Sequence, residues 1–108
     1  MTPAELGDLT VLVVEHDERC RVGLVTALRR LGMRALGVVV PEEAVELLDG
    51  IDAEVALVRG APESRRAIAQ LQRRVPVVVV MTADASVEDT VVDLLRALGR
   101  PEEAAHLN

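Results

Sequence analysis

The sequence predicts an α/β domain of three layers, with a parallel sheet held between two sets of helices. Three observations predict it. Short apolar runs rich in Val alternate with longer segments whose apolar residues recur every three or four positions. The alternation repeats in the order β-α-β-α-β-α-β-α, which calls for crossover units and a parallel sheet covered on both faces. The chain has 108 residues, 50 % of them hydrophobic, which suffices for one core and is too little for two domains.

Each element has its own signature. Thr10 to Val14 is a β-branched apolar run, as expected of a strand buried on both faces. Glu18 to Leu31 carries Leu24, Val25, Leu28 and Leu31 on one helical stripe, with acids at its start and Arg29 and Arg30 at its end. Gly32 stops it. Arg34 to Val40 reads as a second strand, weakened by Gly37. Pro41, Glu42 and Glu43 open a second helix, whose buried face is Ala44, Val45, Leu47 and Leu48 and whose end is Gly50. Glu54 to Val58 is a third strand, Ser64 to Arg74 a basic helix, and Val75 to Met81 a fourth strand. Ser86, followed three residues later by Asp89, caps a last helix with Val87, Val91, Leu94, Leu95 and Leu98 on one face. Gly99-Arg-Pro101 breaks it, and residues 101–107 have the pattern of one or two further turns. The whole chain is one domain, with residues 1–9 as an N-terminal extension and 99–108 as a short C-terminal segment.

Composition narrows the function. The net charge of −6 argues against direct nucleic-acid binding, which needs a basic face. No apolar stretch reaches the roughly 18 residues that span a bilayer. Met1 to Asp8 holds two acids and no base, unlike a signal peptide. The single cysteine, Cys20, excludes an internal disulfide and fits a reducing cytoplasm. The chain has no aromatic residue, and all 12 of its Lys+Arg residues are Arg. Chemistry that needs a lysine amine or a Phe, Trp or Tyr ring is therefore closed to it.

In parallel sheets the working crevice lies beyond the carboxyl ends of the strands. That points to Glu15 to Asp17, Arg59-Gly60 and Thr82-Ala83. Val11-Leu-Val-Val-Glu-His-Asp17 resembles the opening of a two-component receiver domain, an apolar strand ending in an acidic pair. Ala53 to Arg59 is similar to the family's third strand, and Pro76 to Ala83 to its fourth, with the Thr-Ala end. The resemblance covers about residues 10–98. It implies a flavodoxin-like sheet of order 2-1-3-4, here with the fifth strand missing or vestigial.

The departures bear on function. In receivers two acids and an acceptor Asp bind Mg²⁺ and take a phosphoryl group. Glu15 matches the first acid, but His16 stands at the second and Arg59 at the acceptor. Thr82 matches the hydroxyl that contacts phosphate, with Ala83 after it. The family's Lys cannot exist here, Arg100-Pro101 being its only echo, and neither can its switch aromatic. The resemblance thus implies a non-phosphorylatable interaction module in bacterial signal transduction or transcription regulation, neither an enzyme nor the holder of a cofactor.

Within the pocket, Arg59 either pairs with Glu15 or Asp17 or points into solvent. Glu15, His16 and Asp17 as metal ligands lack a distant partner. Thr82 with His16 lacks the third group that would orient a nucleophile–base pair. Cys20 offers the alternative of a small phosphocarrier, although no Gly-rich loop lies between it and Val14. The expected partners are proteins. Val87, Val91, Leu94, Leu95 and Leu98 are the candidate surface, and the edge of the fourth strand is covered either by a homodimer, through two-fold contact or exchange of the C-terminal segment, or by residues 99–108 folding back on it. The basic third helix and the acidic stretch from Val87 to Asn108 read either as ordinary solvated faces or as docking surfaces.

Overall fold

The computed structural model describes residues 6–60 and 62–100. Four parallel strands lie in the order β2-β1-β3-β4. β1 is Thr10–Val14, β2 Arg34–Val38, β3 Val55–Val58 and β4 Val77–Val80. They are joined and followed by α1 (Glu18–Arg30), α2 (Pro41–Leu47), α3 (Arg65–Arg74) and α4 (Val87–Ala97), with short 3₁₀ turns at Leu6–Asp8 and Pro62–Ser64. The registers run straight across the sheet: Val14 is level with Val38 and Val58, and Val58 with Val80.

β1 and β3 are central because every β3 residue and all of β1 but Thr10 is buried. Side-chain alternation sends Val11, Val13, Val55 and Leu57 into one core with Leu24 and Leu28 of α1 and Val91, Leu94 and Leu95 of α4. Leu12, Val14, Ala56 and Val58 face the other core, with Ala44 of α2 and Leu71 of α3. The result is the three-layer α/β/α arrangement.

The helix ends follow their local chemistry. The Asp17 carboxylate accepts from the Cys20 N–H at 3.0 Å, and Ser86 Oγ from that of Asp89 at 3.0 Å. α2 has no side-chain cap and begins on Pro41, which has no N–H to satisfy. Gly32 and Gly99 close α1 and α4 with φ of 96° and 75°, values that a side chain disfavours.

Several boundaries differ from expectation. β2 stops at Val38, because Val39 and Val40 turn into α2 and stand exposed. β4 is shorter than the run from Val75 to Met81, since Val75 caps α3 and Pro76 follows it. The strand sits at the sheet edge, only half buried, despite being the most hydrophobic segment. Leu6 and Leu9 are buried in the α1–α4 core, so residues 6–9 belong to the domain and are not an appendage.

α4 returns to the face of α1 and packs against it. This corrects the candidate docking surface. Val91, Leu94 and Leu95 are 3 %, 0 % and 0 % exposed, and Val87 and Leu98 are half buried against the same core. The apolar stripe is consumed within the domain. Among the described residues no strand lies beyond β4, no helix is long and apolar enough to cross a membrane, and the expected turns at 101–107 fall outside them.

Candidate functional site at the strand ends

β1, β3 and β4 end side by side. The Arg59 N–H donates to the Val14 carbonyl at 3.0 Å, and the Met81 N–H to the Val58 carbonyl at 2.7 Å. This ladder delivers Glu15 and Arg59 to neighbouring positions just beyond the buried strands. Glu15 is 1 % exposed, a carboxylate at the floor of the crevice. A charge so placed needs a partner.

Arg59 is that partner. Its Nε donates to Glu15 Oε1 at 2.5 Å. One terminal nitrogen donates to the Thr82 carbonyl, and the other to that of Ala85 at 3.1 Å. All three guanidinium nitrogens are engaged, and the planar fork ties β1, β3 and the β4–α4 turn together. The second Glu15 oxygen accepts a long bond from the Asp17 N–H, and His16 Nδ1 lies 3.4 Å from it.

A second arginine closes the crevice from the other side. Arg21 donates to the Glu15 carbonyl at 2.9 Å and to that of His16 at 3.4 Å. Its stem lies over β2 where Gly37 leaves room: a Cβ on Gly37 would stand 2.9 Å from Arg21 Cγ. A glycine inside a strand marks such a close approach. Gly37, which in the sequence reads only as a weakness of the strand, is the position that makes room for Arg21. Nothing in the sequence singled out the Ala85 carbonyl.

The remaining candidates are less engaged. His16 has a side chain 74 % exposed. Asp17 takes no part in the Arg59 pair, because its carboxylate caps α1; the Cys20 N–H that it accepts lowers its pKa below the usual 3.8. Cys20 is half buried, and burial, followed by the Asp17 and Glu15 carboxylates, pushes its thiol pKa up, against thiolate formation. Thr82 contributes its carbonyl to the clamp while its side chain stands in an exposed position, and Ala83 is exposed beside it.

Between Asp17, Cys20 and Arg59 on one wall and Ala83 to Ala85 on the other lies a cavity of about 250 Å³. A larger hollow of about 680 Å³ opens at the opposite ends of the strands, around Arg29, Met33 and Arg34, and brings no reactive groups together.

The Mg²⁺ that receiver domains bind does not fit these residues. Mg²⁺ wants carboxylate oxygens in a near-octahedral shell. Here Glu15 already holds the Arg59 guanidinium, whose positive charge repels a cation, and Asp17 caps a helix. Among the described residues no group of three His, Cys, Asp or Glu side chains is arranged to hold a metal.

No family model matches the chain, and no curated protein matches it. Among solved structures, one titled as a yeast Spc42 trimeric coiled-coil segment, amino acids 181–211, fused to another structure, is similar with a TM-score of 0.61. The likeness covers 97 % of this chain and 89 % of that one at 17 % identity, and at that identity it speaks for the fold alone.

Proposed function

We propose that the chain is a receiver-like protein-interaction module that accepts no phosphoryl group and works within bacterial signal transduction or transcription control in the cytoplasm. The observation that carries this reading is the Arg59–Glu15 pair at the end of β3. Where a receiver would place a nucleophilic carboxylate, this chain places a guanidinium, which has no oxygen to attack phosphorus. The same group puts a fixed positive charge beside the acid that would otherwise hold a metal. The crevice is thus neutralised from within, and the β4–α4 turn is held by Arg59 without any added ligand.

The alternative phosphocarrier would use Cys20 as its nucleophile. The raised thiol pKa and the two neighbouring carboxylates weigh against it, since both oppose a thiolate and an incoming phosphate.

Incubation with acetyl phosphate and Mg²⁺, followed by intact mass measurement, separates the readings. The module takes no phosphate. A labile adduct on a carboxylate would overturn the proposal, and an adduct on Cys20 would replace it with the phosphocarrier.

A further inference from the structure

β4 is the more apolar of the two sheet edges. Its N–H groups at Val77 and Met81 donate inward, to the carbonyls of Glu54 and Val58. Backbone groups alternate sides along a strand, so those of Val78 and Val80 point outward, away from β3. Val80 is 52 % exposed, and no charged residue or proline interrupts Val77–Val80. Such an edge is a template for another strand.

We propose that this edge is the seam of a homodimer. In it, β4 of a second copy pairs antiparallel about a two-fold axis through Val79, and the two sheets continue as one. Val78 and Val80 of one copy then exchange backbone hydrogen bonds with Val80 and Val78 of the other.

The charges on α4 favour a second copy of this chain as the occupant. α4 packs beneath this side of the sheet, with α1 on its other flank. A cavity of about 460 Å³ runs from the β4–α4 turn down its outer surface, past Asp89, Val92, Asp93 and Arg96. The same two-fold sets α4 antiparallel to its counterpart. Asp89 and Arg96 are two turns apart, roughly 10 Å along the helix. If the axis crosses α4 at the level of Val92 and Asp93, each Asp89 meets Arg96 of the second copy. Among the described residues neither of them is in an ion pair within the chain. A parallel arrangement would instead set Asp89 against Asp89 and Arg96 against Arg96. The seam is thus self-complementary in backbone, apolar surface and charge, which an isologous contact requires. It stands independently of the receiver reading.

Sedimentation equilibrium of the full chain from about 1 to 100 µM tests it, since a useful self-affinity lies near micromolar. The chain is expected to be a dimer. Val80→Lys, at an exposed position, is expected to yield monomer with an unchanged circular dichroism spectrum. Arg96→Asp is expected to weaken the dimer about tenfold or more, and the charge-swapped pair Asp89→Arg with Arg96→Asp to recover it to within about threefold. A monomer at 100 µM, or a dimer indifferent to both Val80→Lys and Arg96→Asp, would overturn the proposal. So would a monomeric full chain that dimerises only when residues 101–108 are removed, which would assign the edge to the chain's own segment.

Discussion

Replacing Arg59 by alanine removes the cation from a carboxylate that is 1 % exposed. What remains on Glu15 is a bond from the Asp17 N–H at 3.4 Å and His16 Nδ1 at the same distance, both too long to compensate. Breaking a fully buried pair from one side costs about 3–5 kcal/mol. Arg59 is itself 13 % exposed, and its removal admits water through the adjoining crevice, which lowers the cost. The carbonyls of Thr82 and Ala85 lose their donors but lie where water reaches them, and add little. The expected loss is about 3 kcal/mol, or about 12–20 °C in melting temperature for a domain of this size. With no Trp or Tyr in the chain, the assay is urea unfolding followed by far-ultraviolet circular dichroism. The mechanism makes a sharper demand on the double variant. Glu15→Gln in the Arg59→Ala background removes the stranded charge, so the pair of changes should cost at least about 1.5 kcal/mol less than the sum of the two singles. Additive losses would refute the idea that Arg59 acts by compensating Glu15.

Three further outcomes follow from the same geometry. Gly37→Ala should destabilise by about 1–3 kcal/mol by driving Arg21 off the strand, and Arg21→Ala in the same chain should relieve most of that loss in urea unfolding. Leu94→Ala should cost about 2–5 kcal/mol in the same assay, because Leu94 is fully buried; little change would restore α4's apolar stripe as a docking face. The lowered pKa of Asp17 means that its carboxylate supports α1 above the usual aspartate value of 3.8, and that this support is lost as pH falls through its folded-state value. The protection factor of the Cys20 amide, its exchange rate relative to the intrinsic rate at each pH, should therefore fall on acidification, and Asp17→Asn should flatten that dependence; an equally pH-dependent protection factor in the variant would contradict the cap.

The strands and the helix starts were legible because they rest on local rules, while the sheet order β2-β1-β3-β4 was legible only through the receiver resemblance. β1 and β3 declare themselves by unbroken apolar runs, Pro41 and Ser86 by their helix-start chemistry, and Gly32 by its place just after the last apolar residue of α1, where the structure gives it a positive φ. What was not legible depends on three-dimensional placement. The same Val-rich pattern that fills the centre of the sheet also makes β4, and hydrophobicity alone does not distinguish a centre from an edge. The stripe on α4 shows which side of the helix is apolar; it does not show whether the domain's own core or another molecule covers it. Packing against α1 decided that. At the crevice, the strand-end rule located Glu15 and Arg59, while Asp17 and Arg21 took roles set by their positions at the start of α1, one as cap and one as clamp.

The claim at the centre of this account is that the Arg59 guanidinium stands in for a divalent cation beside Glu15. Titration of Mn²⁺ into the isotopically labelled chain, followed by amide line broadening, tests it most directly. The account predicts no selective broadening at Glu15, His16, Asp17, Arg59 or Thr82 over that of acids elsewhere on the surface. Saturable broadening confined to those strand-end amides would show that the crevice still binds a metal, and would contradict it.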